Sequence, residues 1–167
     1  MQTTCGPGSN RLISKGTCRQ PQQGLTLLEL LMAAVIFGVL TTIATVSYAR
    51  VIERMRVSTA IADIGQMQLA INKFQADRGA YPASLADVGF GALIDPWGNS
   101  YRYLDFTGVK GKGAFRKDRN LVPINSDYDL YSMGPDGDSV GPLTAQQSRD
   151  DIVRANDGRF IGKAEDY

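Results

Sequence analysis

The stretch Gln22-Gln23-Gly24-Leu25-Thr26-Leu27-Leu28-Glu29-Leu30-Leu31-Met32-Ala33-Ala34 sets a single carboxylate at the entrance of a long apolar run. From Leu30 to Ala49 no residue is charged. A helix over those positions rises about 30 Å, the thickness of a bilayer's hydrocarbon. A buried core helix would show polar residues at helical spacing, and here the first interruption is Thr41-Thr42. The run predicts a membrane span. Glu29 is then the anomaly, because an acid near the start of such a helix costs about 2 to 3 kcal/mol to insert.

An ordinary export signal is shorter and ends at a small-residue cleavage site. Ser47-Tyr48-Ala49 could serve as such a site and release a chain beginning near Arg50. That alternative leaves Glu29 unexplained. Snorkelling towards the interface is the other local account of the acid.

Composition narrows the function classes. The 167 residues suit one domain of ordinary size. Three of the 18 basic residues, Arg11, Lys15 and Arg19, precede Gly24, where none of the 17 acidic ones lies. The rest of the chain is therefore slightly acidic, which argues against nucleic acid as a partner. Histidine is absent, and the two cysteines are Cys5 and Cys18. Downstream there is no thiolate or imidazole for a zinc site or a nucleophile pair, so an enzyme is disfavoured. Gly108 to Gly113, GVKGKG, lacks the Ser or Thr and the spacing of a phosphate loop.

Beyond Arg50 the pattern becomes amphipathic: Val57, Ile61, Ile64, Met67, Ile71 and Phe74 share one helix face. Asp77-Arg78-Gly79 and then Tyr81-Pro82 supply a stop. With no proline between Leu25 and Phe74, one continuous helix of about 50 residues is expected. Its stripe is suited to covering a small sheet, with a dimerising coiled coil as the alternative. Ser100 to Phe106 and Asp127 to Met133 alternate as half-buried strands do. The basic connection 107–125, with Lys110, Lys112, Arg116, Lys117 and Arg119, reads as a solvated hairpin loop or a contact for an acidic neighbouring subunit. In the tail 151–167, Asn156-Asp157-Gly158 reads as a turn, and 158–167 receives no role.

Gly24-Leu25-Thr26-Leu27-Leu28-Glu29-Leu30-Leu31 resembles the cleavage and assembly motif of type IV pilins and pseudopilins. The resemblance implies that a prepilin peptidase cuts between Gly24 and Leu25 and methylates the new terminus. Leu25 would then carry an α-ammonium group, for which Glu29 is the counter-charge on a neighbouring subunit. Such a pair would set axial register where apolar packing gives little direction. Leucine stands at 25 where the family usually has phenylalanine, and the family's mid-helix proline is absent near Val46. Arg50, Arg54 and Arg56 match the leader's three cations in number, so topology rests on the motif.

Ala80-Tyr81-Pro82, Asp95-Pro96-Trp97-Gly98-Asn99 with Tyr101, and Tyr128 to Gly134 with Asp136-Gly137 look like the head of the major pseudopilin of type II secretion systems. That resemblance implies an α+β fold, a long N-terminal helix packed on a small antiparallel sheet. It implies a leader over 1–24, a transmembrane and assembly helix over 25–49, an amphipathic continuation over 50–78 and a periplasmic head over 79–167. It also implies a structural calcium, with Asp136 and then Asp150 or Asp151, or both, as carboxylate ligands and Met133 offering its carbonyl. The expected partners are copies of the chain, other pseudopilins, the prepilin peptidase and an inner-membrane secretion platform. The expected location is the Gram-negative inner membrane, with the head in the periplasm. A pilin or minor pilin for adhesion, motility or DNA uptake is the nearest alternative. A secreted enzyme using Asp136, Asp138, Asp150 and Asp151 as acid and base is the more distant one.

Overall fold

The computed structural model describes residues 24–111 and 113–167. The leader with its three cations and both cysteines, and Lys112 of the basic loop, lie outside the described residues. The described residues divide into two compact units, the first ending at Ile43 and the second covering Ala44–Tyr167.

In the first unit, residues 24–26 are non-helical and lead into helix α1, Leu27–Arg78. Thr26 caps it, its Oγ1 accepting from the Glu29 N–H at 3.2 Å while its carbonyl accepts from the Leu30 N–H at 3.2 Å. Leu27, Leu28, Leu30, Leu31, Ile36 and Phe37 are each more than half exposed. By length and composition the helix is apolar enough to cross a membrane.

In the second unit α1 ends where the glycine stop predicts. Gly79 adopts φ +72° and its N–H donates to the Gln75 carbonyl at 2.8 Å. Ala60, Ile64, Met67 and Ile71 are fully buried, with Val57 and Ile61 partly buried beside them. They pack on Leu85, Tyr101, Tyr128, Leu130 and Ile152. The stripe covers the chain's own sheet, and the coiled coil is not needed to bury it.

The sheet has four strands in the order β1-β2-β3-β4, each antiparallel to the next: β1 Arg102–Asp105, β2 Tyr128–Ser132, β3 Ile152–Ala155 and β4 Phe160–Lys163. Arg102 lies opposite Tyr131 and Asp105 opposite Tyr128, so the two expected strands pair across the 107–125 connection. The second pair comes from the tail, to which the sequence reading assigns only a turn. That turn is present, Asn156, Asp157 and Gly158 all having positive φ, and it joins β3 to β4.

β3 is buried along its whole length because both faces of the sheet are covered. Ile152 faces the helix-side core, while Val153 and Ala155 join Ile124, Leu143 and Ala164 in a second one. Arg154, 2 % exposed, stacks 4.0 Å over the Tyr128 ring. Its Nε donates to Gln68 of α1 at 2.9 Å and its Nη1 and Nη2 donate to the two Asp127 oxygens at 2.8 and 2.7 Å. Gly158 approaches Gln68 so closely that a Cβ would fall 2.3 Å from its Oε1.

Arg154→Met leaves Asp127 without its guanidinium and is expected to cost about 3 to 5 kcal/mol, the usual penalty for breaking a buried pair. Urea unfolding of the full chain in detergent micelles measures it. A loss below about 1 kcal/mol, the range of exposed pairs, would mean that the tail strands are not held this way.

Candidate functional site

The N-terminal motif is built on a helix start. Gly24 is exposed, and a Cβ on it would meet nothing within 4 Å among the described residues. Leu25 is 67 % exposed, which leaves the Gly24–Leu25 bond accessible in the non-helical segment before the cap. Thr26-Leu27-Leu28-Glu29 has the spacing of a capping box, and Glu29 sits in the first turn, where a negative charge suits the helix dipole. The sequence reading missed this local role, although Thr followed by Glu at that spacing is its signature.

The Asp95-Pro96-Trp97-Gly98-Asn99 element is the junction of the head. Asp95 is 3 % exposed; its Oδ1 accepts from the Trp97 and Asn99 N–H groups at 3.1 and 2.7 Å, and its Oδ2 accepts from Ser132 Oγ at 2.5 Å. Trp97 Nε1 donates to Glu53 of α1 at 3.2 Å, and Asn99 Nδ2 donates to the Gly134 carbonyl at 3.0 Å. Tyr101 reaches α1 as well, its hydroxyl donating to Asp63 at 2.7 Å. The element therefore ties α1, the end of β2 and the following bend together.

The expected calcium ligands lie just beyond that bend. Met133 follows β2, and Gly134 (φ +66°) comes so near Asp150 that a Cβ would fall 2.6 Å from its carbonyl oxygen. Asp136 is exposed and closes its own turn, its Oδ1 accepting from the Asp138 N–H at 2.9 Å. Asp151 is fully buried. Its Oδ2 accepts from Arg116 Nη2 and, at 2.6 Å, from Ser139 Oγ. Among the described residues no three acidic side chains converge as metal ligands would. Calcium needs six to eight oxygens. Of the expected set, Asp151 is the member that does not fit, because the Arg116 guanidinium already lies beside its Oδ2.

Arg116, in turn, corrects the reading of 107–125 as a solvated loop: it is 3 % exposed and points inward. Nothing local in the sequence separates it from Lys117 and Arg119. Burial also removes Asp151 from acid–base chemistry on an external substrate, since no substrate can reach it.

Burial pushes the Asp151 carboxyl up to about 6, with Asp150 acting in the same direction, against the pull of Arg116 and the hydrogen bond from Ser139. An unfolded aspartate titrates near 3.9. Between these values the folded chain holds the extra proton, so this group's contribution to stability falls as pH rises from about 4 to about 6 and is level above that. Denaturant unfolding across that range is expected to show the slope in the native chain and a smaller one in Asp151→Asn.

The family model described as the prokaryotic N-terminal methylation motif matches residues 19–45. The chain is 28% identical to the type II secretion system core protein G of Pseudomonas aeruginosa, over 74% of this chain and 90% of that protein. It is 27% identical to the protein of the same name from Pectobacterium carotovorum subsp. carotovorum, over 81% and 88%. A fimbrial protein, EcpC of Eikenella corrodens, is 32% identical over 46% of this chain and 50% of its own length. No solved structure matches. An accessible glycine before a capped apolar helix, with an acid in its first turn, is thus the methylation motif of prepilins, on a chain similar along most of its length to the major pseudopilin of type II secretion.

Proposed function

We propose that this chain is a structural subunit of a periplasmic pseudopilus that drives protein export by type II secretion. A prepilin peptidase cuts between Gly24 and Leu25 and methylates the new amine. The apolar part of α1 holds the subunit in the inner membrane with the head in the periplasm, until copies assemble through that helix with one another and with other pseudopilins on a membrane platform. No catalytic residue is assigned.

The observation that carries this reading is the methylation-motif match over residues 19–45, in which an exposed Gly24 precedes an apolar helix whose first turn bears Glu29. After the cut, the Leu25 ammonium stands at the positive end of the helix dipole, an unfavourable place for a cation. Glu29 of its own subunit offsets the dipole, and Glu29 of a neighbour neutralises the amine. Both effects favour the acid, but only the second requires a polymer. Similarity to a fimbrial protein over about half of the chain favours, as a second reading, a pilus subunit with the same assembly chemistry.

Mass spectrometry of the mature protein is expected to find N-methylated Leu25; a start near Arg50 would instead support simple signal-peptide removal and end the polymer reading. Glu29→Gln keeps the size of the side chain and the Thr26 cap, and is expected to leave cleavage intact while abolishing filaments seen by electron microscopy. Thr26→Ala, which loses only the cap at about 1 kcal/mol, is expected to retain them. Normal filaments from Glu29→Gln would refute the counter-charge. Export to the medium lost on deletion of the gene, with surface pili unchanged, distinguishes secretion from a pilus.

A further inference from the structure

Arg116 is a charged side chain 3 % exposed in the β1–β2 connection, and its surroundings resemble an ion's. Nη2 donates to the Asp151 carboxylate, and Nη1 donates to Ser139 Oγ and, at 2.9 Å, to the Val140 carbonyl. Carboxylate, hydroxyl and backbone carbonyl are the oxygen types that a calcium ion gathers in an aspartate-bearing loop. Here they are collected from two segments, 139–140 and 151, by a cation from a third. Each partner is itself braced. Ser139 Oγ also donates to Asp151 Oδ2 at 2.6 Å; Ser148 Oγ donates to the Val140 carbonyl at 2.8 Å and accepts from the Val140 N–H at 2.9 Å.

An aromatic face and a backbone contact place the residue further, although the guanidinium Nε and the second Asp151 oxygen are buried without a hydrogen-bond partner among the described residues. The guanidinium lies 4.2 Å over the Tyr131 ring of β2, and the Arg116 backbone N–H donates to the buried Asp129 Oδ2 at 2.8 Å. A guanidinium stays charged at any pH the fold survives, and its planar fork suits several oxygens at once. Unlike a bound ion, it cannot be withdrawn by a chelator.

We propose that Arg116 is the built-in counter-cation of the loop before β3, joining the β1–β2 connection to residues 139–140 and Asp151 in the place where a metal ion would otherwise be needed, so that this head holds its shape without calcium. The inference is independent of how the N-terminal motif is used.

Thermal unfolding of the full chain in detergent micelles, in millimolar EGTA and then in millimolar calcium chloride, tests it. A structural ion at saturating concentration would raise the melting temperature by several degrees. The native chain is expected to melt at the same temperature in both, and isothermal titration with calcium to give no saturable heat. Arg116→Met is expected to melt several degrees lower, and adding Asp151→Asn to recover part of the loss, because the uncompensated charge has gone. Three results would overturn the proposal: a native chain that loses melting temperature in EGTA and regains it with calcium, an Arg116→Met chain that melts like the native one, or a double variant no more stable than the single. Should Arg116→Met fail to fold, the native chain's response to chelation decides alone.

Discussion

Four side chains of α1, Ala60, Ile64, Met67 and Ile71, lie against Tyr128, Leu130 and Ile152 with none of their surface left to water. Burial of this stripe is the constraint on which the head depends. Sheets this small are stable only when a face is covered. The helix that covers it is long because its first part has another environment to satisfy. Leu27 to Phe37 expose apolar side chains that a watery medium would penalise and a bilayer would not.

Charge inside the head orients rather than stabilises. Arg154 fastens β3 to Gln68 of the helix and to Asp127 beside β2, while Arg116 fastens the basic connection to Asp151. Replacing such pairs by apolar residues of the same volume often costs nothing, but removing one member strands the other. Their value is positional: each is satisfied only when separate segments arrive together. Asp95 has the same character without a cation, accepting from two N–H groups of its own turn and from a hydroxyl on β2. A divalent ion is one way to close a loop that has no core of its own. A buried guanidinium, with more donors and a fixed geometry, is another.

Glu29 carries two demands at one position. It stands at the third helical residue, where it suits the helix start, and within the stretch that matches the methylation motif. A single carboxylate thus meets a need of the helix start and, under the proposed assembly, a need of the neighbouring subunit.

Much was legible along the chain. The helix with its glycine stop, the two aromatic strands, the turn at Asn156-Asp157-Gly158 and the processing motif all rest on local spacing: 3.6 for a helix face, 2 for a strand, a capping residue before an apolar run. β3 was not legible, because Ile152-Val153-Arg154-Ala155 is buried on both faces and so loses the alternation by which a strand is recognised. β4, with a glycine inside it, carries little strand propensity and takes its place from pairing with β3. Arg116 looks like its basic neighbours until Asp151 is brought to it. What the sequence determined by itself is whatever neighbouring residues can enforce on one another: helix, cap, span and turn. The tail's place in the sheet and the choice of cation beside Asp151 were decided only by the tertiary structure, because both depend on oxygens and apolar faces that come together from segments far apart in the chain.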